Sequence, residues 1–405
     1  MIDVAIVGGG AAGFFTAINL KENRPDLKVV IYEKSKQVLS KVKVSGGGRC
    51  NVTHACFIPK DLTKNYPRGK KELLGPFHTF MTGDTMEWFE SRGVPMKIEG
   101  DGRIFPKSNS SQTIIDCFQK LCSSLDIPVK TGVGISSFVK DDSEVWKLQT
   151  KNEVIKCKYF VLTPGASKSL WKEVEKLGHT VVDPIPSLFT FNIADARIAD
   201  IPGLSVSKAR CSIEGERFKT KGPILVTHWG LSGPAILKLS AEAARALHLK
   251  EYRFKLFVNW MNMDQDEVLE MIEDCRADRA KSIVMQRSID PHIPRRLWEK
   301  LVVKSGISPK LKWGDLSKKQ INLLLNELCA SAFEVNGKST FKEEFVTCGG
   351  VSLREINFKT YESKLHENLF MAGEFIDVDA VTGGFNFQNA WTGGFLISQS
   401  ISSRL

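Results

Sequence analysis

The chain has 405 residues, long enough for two or three domains because single hydrophobic cores stop growing well below that length. Its 42% apolar and 25% charged composition is that of a folded globular protein, and no apolar run reaches the 18 residues that a membrane-spanning helix needs. The formal charge of +10 suits a polyanionic partner, while nine scattered cysteines, none in C-x-x-C spacing, read as reduced thiols and not as a metal or disulfide framework.

The first element, "IDVAIV" from residue 2, reads as a buried strand and leaves no room for a signal peptide, so a cytoplasmic setting is expected. It runs into Gly8, Gly10 and Gly13 in G-x-G-x-x-G spacing, with Ala11 and Ala12 opening a small-residue helix. In that pattern the first glycine permits a tight turn, the second lets backbone approach a pyrophosphate, and the third lets helix and strand pack closely. A second strand, "KVVIYEK", ends in Glu33 and Lys34, about twenty residues beyond the glycines. An acid there accepts from ribose hydroxyls and disfavours a 2′-phosphate. Dinucleotide binding follows, with NAD and FAD both open at this point.

The next stretch, "KVKVSGGGRCN", brings Lys41, Ser45, Gly46, Gly47, Arg49, Cys50 and Asn51. Its glycine run can cradle an anion through backbone amides, expose a thiol, or merely turn the chain. A basic patch follows at Lys60, Lys64, Arg68, Lys70 and Lys71, then "GDGRIFPKS" with Arg103. "TGVGISSF" lacks a third glycine and a following helix, and is expected to be a strand pair; no dedicated NAD(P) domain is evident. "VLTPGASKSLW" supplies Gly165, with Pro164 removing an amide. From "VVDPIPSLFTFNI" onward, short alternating strands and turns suit a small barrel-like sheet containing "THWGLSGPAIL" and His228. Helical periodicity then dominates up to "LSKKQINLLLNELCA", where Ser317 caps a helix with Ile321, Leu324 and Leu325 on its apolar side. This insert carries Arg287, Arg295, Arg296, Lys300, Lys304, Lys310, Lys312, Lys318 and Lys319 among His292, Trp298 and Trp313. Cations beside aromatics are what phosphate neutralisation and base stacking require, although a solvated helical face has the same composition. "TCGGV" with Cys348 precedes a last strand into Gly373 and Glu374, an acidic loop with Asp377 and Asp379, and Gly383 and Gly384 opening a final helix at Phe385 and Asn386.

A dinucleotide loop at the start and this strand, acidic loop and Gly-Gly helix at the end resemble the glutathione-reductase-type FAD fold. Together with "SGGGRCN", "GDGRIFPKS", "THWGLSGPAIL" and "TCGGV" in that order along nearly the whole chain, they resemble the bacterial BaiN/YhiN-type (RdsA-like) FAD-dependent oxidoreductases. The resemblance implies an α/β fold whose Rossmann-like FAD domain, residues 1–188 and 346–405, is interrupted by a barrel-like segment, 189–260 and 331–345, and a helical insert, 261–330. It also implies non-covalent FAD near Lys41 to Asn51, the acidic loop against ribityl and pyrophosphate, and the last helix aimed at the flavin pyrimidine. NADH or NADPH is then a transient reductant. The implied activity is hydride transfer to a C=C bond: of a uridine in large-subunit ribosomal RNA held by the basic patches or, in another branch, of a small enone, with amine oxidation as a further small-molecule reaction. A non-catalytic RNA-binding flavoprotein is a third reading. Cys50, His228 and Cys348 are the candidate proton donors and Arg103 the candidate anion holder.

Overall fold

The computed structural model describes residues 1–339 and 346–404, and the expected domain limit within 340–345 lies outside them. The chain divides into two compact units, one of Met1–Pro186 with the C-terminal segment and one formed by the residues between.

The first unit is built on β1 (Ile2–Val7), whose four inner residues are all buried, as a central parallel strand requires. It pairs in parallel with β2 (Val29–Glu33) on one side and with Val154–Leu162 on the other. The strands Val129–Thr131 and Leu369–Met371 extend these parallel pairings outward. Antiparallel strands complete a nine-stranded sheet. Between β1 and β2 lies α1 (Ala11–Asn23), with buried residues nearly all round and no charge before Lys21. The C-terminal helix Phe385–Ser402 packs on α1 at Gly394, where any Cβ would come within 2.9 Å of the Ala12 carbonyl. "TGVGISSF" is not a strand pair: it links Val129–Thr131, bound to β2, with Ser137–Lys140, which pairs instead with Trp146–Gln149.

The second unit holds a seven-stranded sheet in which every pairing is antiparallel, in the order Ser331–Asn336, Arg253–Asn259, Ser205–Ile213, Lys219–Val226, Gly230–Ser232, Thr190–Asn192, Lys338–Ser339. The first and last strands in this order are consecutive stretches of one chain segment, separated only by Gly337, whose amide donates to the Tyr252 carbonyl at 2.9 Å and whose carbonyl accepts from the Asn192 amide at 3.0 Å. The helical segment is not a separate body. Leu297, Trp298 and Leu324 share one core with Ile224, Val258 and Phe333. Its helix Lys318–Cys329 starts on Ser317, whose hydroxyl accepts from the Gln320 amide, and buries Ile321 and Leu324.

Candidate active site

The expected cofactor residues of the first unit converge at the C-terminal ends of its parallel strands. Gly8 has φ 115°, and a Cβ there would lie 2.3 Å from the Thr163 carbonyl oxygen, so the first turn is jammed against the strand next door. A Cβ on Gly13 would lie 2.1 Å from the Gly8 carbonyl oxygen, which is the close helix and strand approach expected of the third glycine. Gly10 differs from both. A Cβ on it would meet nothing within 4 Å, and as N-cap of α1 it leaves that helix without a capping side chain. Ala11 is half-buried and Ala12 buried behind this opening. Uncapped amides at a helix start, beside open space, fit a pyrophosphate.

Glu33 fixes the loop. One carboxylate oxygen accepts from the Gly9 amide and the other from the Ser35 amide, both at 2.8 Å, and each keeps acceptor capacity for a ribose hydroxyl. Lys34 is exposed and its stem lies over Gly134.

The segment α2 (Ser40–Gly48) is helical only at its start, because Gly46 and Gly47 adopt left-handed backbone. The run ends with the Cys50 amide donating to the Ser45 carbonyl at 3.0 Å, and Gly47 faces open space. Arg49 does not point free. Its guanidinium stacks 4.0 Å over the Phe105 ring and donates to Glu99 at 2.8 Å. Arg103 donates to the same Glu99 at 3.3 Å and to Asp101 at 2.7 Å. Glu99 pays some desolvation, yet the Arg49 bond and the surrounding cations hold it below the usual carboxylate range. Arg103 is therefore a half-exposed member of an ion cluster and not an unengaged anion holder.

Cys50 is wholly buried, and burial pushes its thiol up to about 12 against a hydrogen bond with Ser45. In this conformation the thiol presents no surface to a ligand. Cys348 is equally buried in the strand Val346–Val351. His228 belongs to the second unit, exposed on the turn between Lys219–Val226 and Gly230–Ser232. Of the three candidates in the first unit, Cys50 and Cys348 are buried and Arg103 is half-exposed within its ion cluster.

The C-terminal contributors show a division of labour. Gly373 lies against Ala12, and Glu374 pairs with Lys41 while accepting from the Thr347 amide at 2.9 Å. Gly165 sits beside that carboxylate. Asp379, expected on the ribityl chain, is instead fully buried in a two-pronged ion pair with Arg68. Burial opposes the Arg68 charge, but Asp379 outweighs it and the arginine's pKa rises. Arg68 is accordingly withdrawn from the basic patch. Nothing in the spacing of residues 60–71 separates it from its exposed neighbours.

The final helix begins on Gly384, φ 94°, with no capping side chain, while Gly383 is buried just before it. Asn386 reaches back to accept from the Ala380 amide at 3.0 Å and holds the acidic loop. Phe385 is buried, stacks on His54 at 4.7 Å between centroids, and accepts through its carbonyl from the Tyr66 hydroxyl at 2.6 Å. Gln388 accepts from Thr53 and Thr85, and these polar residues gave no pattern from which to read the contact. Among the described residues, the Oδ1 atoms of Asn51 and Asn389 are buried without a hydrogen-bond partner, and that of Asn51 would sit 2.8 Å from a Cβ on Gly384. An uncapped helix start with an unpaired amide oxygen beside it fits a polar heteroaromatic ring.

The HI0933-like protein Rossmann domain matches residues 2–400. The chain belongs to the HI0933-like family. It is a flavoprotein oxidoreductase of that family, with an α/β Rossmann fold. A 3-dehydro-bile acid delta(4,6)-reductase of Clostridium scindens is 23% identical over 99% of both chains. A ribosomal RNA dihydrouridine synthase of Escherichia coli is 26% identical over 98% of both. Among solved structures, a 3-ketosteroid delta1-dehydrogenase from Sterolibacterium denitrificans superposes with TM-score 0.55 at 10% identity over the whole of both chains. A flavocytochrome c3 fumarate reductase does so with TM-score 0.52 at 14% identity, over 99% of this chain and 78% of its own. Among the described residues, no helix is long and apolar enough to cross a membrane.

Proposed function

We propose that the protein is a cytoplasmic FAD-dependent reductase that saturates an activated C=C bond, and that its substrate is a uridine in large-subunit ribosomal RNA. The observation that carries the cofactor is the contrast among the three glycines: two are closed by neighbouring backbone and the middle one opens at an uncapped helix start. The amides of Gly10, Ala11, Ala12 and Gly13 hold the pyrophosphate and Glu33 holds the adenosine ribose. Gly46, Gly47 and Asn51 face the flavin side, Glu374 braces Lys41 and Gly165 beside it, and the helix start at Gly384, Phe385 and Asn386 opposes negative charge with its positive end. When bound, FAD supplies a two-electron hydride donor. Cys50 and Asp379 serve by packing and by bracing the loop through Arg68.

The two full-length relatives named above are a reductase and a dihydrouridine synthase, so saturation of a double bond is what their names share. The +10 charge supports the polyanionic substrate. The second reading, a small enone, rests on the bile acid reductase. The deciding measurement is nucleoside mass spectrometry of large-subunit ribosomal RNA from cells with and without the gene. Loss of one dihydrouridine is expected. Identical nucleosides, together with reoxidation of the reduced flavin by a steroid enone, would give the small-molecule reading the site.

A further inference from the structure

The two tryptophans that made the helical insert resemble an RNA surface are not on the surface, and its histidine is half-buried. Trp298 and Trp313 are core residues, and His292 is held by Asp290 and the Trp260 carbonyl. Several of its cations are also spoken for: Arg295 pairs with Glu299, and Arg296 and Lys300 bind Asp200.

The second unit carries a different combination on its sheet. Along Lys219–Val226 the residues Thr220, Ile224 and Val226 point inward, while Lys219, Lys221, Pro223 and Leu225 form an exposed row about 20 Å long. Lys221 lies opposite Arg210, and Lys219 opposite Ser212, which in turn faces Phe257. A β-bulge between Val206 and Ala209 adds Lys208 to the same region. The nearby acids are already matched: Glu214 and Glu334 with Lys255, Glu216 with Lys250, and Asp264 with Arg210. Lys208, Lys219 and Lys221 have no ion pair among the described residues. At the end of the row the turn presents Trp229, 56% exposed; it and Phe57 are the exposed aromatics of the described residues.

Resting on the RNA reading above, we propose that this row is a binding surface for single-stranded RNA, with Lys208, Lys219 and Lys221 on phosphates and Trp229 stacked on a base. The chemistry argues for the occupant. Uncompensated cations in a line favour a linear polyanion, and a large exposed indole at the end of that line gains nothing from phosphate but stacks on any base. Leu225 and Pro223 supply the apolar floor between them.

The test is equilibrium binding of a fluorescein-labelled RNA of about twelve nucleotides, within the usual single-strand site sizes, to the flavin-loaded protein across a salt series. The Lys208→Ala/Lys219→Ala/Lys221→Ala variant should flatten the slope of log K against log salt by about two, three phosphates at about 0.7 each. Trp229→Ala should weaken binding by about five- to hundredfold with the slope kept. Flavin content and melting temperature, measured alongside, separate these effects from misfolding. If the parent binds and both variants match it, the surface is refuted while the RNA reading stands. If the lysine variant weakens and Trp229→Ala does not, the row is a general polyanion patch and the proposal fails. If the parent binds no RNA even at low salt, the surface falls, and the nucleoside comparison separately decides the substrate.

Discussion

Gly8, Gly10 and Gly13 have three different duties, and substitution separates them. A methyl on Gly13 has to displace backbone only 2.1 Å away, so Gly13→Ala should destabilise the fold itself by about 3 kcal/mol or more. Gly10→Val adds its side chain to open space at φ −100°, which valine adopts freely. Its apoprotein should unfold within about 0.5 kcal/mol of the parent, yet FAD retention should fall at least about tenfold, or 1.4 kcal/mol of binding. Parallel denaturation and flavin absorbance of the purified variants measure both halves. A Gly10→Val protein with full flavin content would remove the pyrophosphate from this helix start.

At the scale of elements, the first unit ties three segments distant in sequence through His179, just beyond the helix Lys168–Lys176. Its Nδ1 meets Glu355 at 2.9 Å and its Nε2 meets the Ser363 hydroxyl at 3.0 Å, while the Thr180 amide donates to the same carboxylate. Burial lowers the His179 pKa, against the pull of Glu355. A lowered folded pKa means that the unfolded chain takes up the proton first as pH falls below about 6.5. Stability from this group is therefore complete above that pH and is lost on going down towards the folded value. Glu355 is itself lowered, so its own loss begins only in the usual carboxylate range, near pH 4.3 and below. Between about pH 7 and 5.5 the denaturant midpoint of the parent should fall more than that of His179→Gln. Equal slopes would mean that His179 is not titrating against the fold.

Across the whole molecule, the described residues contain a single strand, glycine loop and helix of the dinucleotide type, and "TGVGISSF" joins two strands with no helix after it. NADH or NADPH should consequently reduce the bound flavin slowly, at a rate linear in nucleotide concentration. Stopped-flow absorbance measures this, and a fast reduction saturating at low nucleotide would reveal a second site.

How much of this was legible beforehand follows from what each feature depends on. The glycine loop, Glu33 and the Gly-Gly helix start were readable because local backbone geometry demands those residues at those spacings, whatever surrounds them. The capped helix at Ser317 was readable for the same reason. Spacing carries no record of which side chain meets which across hundreds of residues. Only the tertiary structure could turn Arg68 inward to Asp379, set Arg49 and Arg103 on one Glu99, and bury the thiol of Cys50. It also moved the exposed aromatic from the helices to the sheet, because Trp298 and Trp313 lie in core positions while Trp229 ends a hairpin. Burial and long-range pairing are properties of the packed chain, and they decided which of the charged and reactive residues remain available to a ligand.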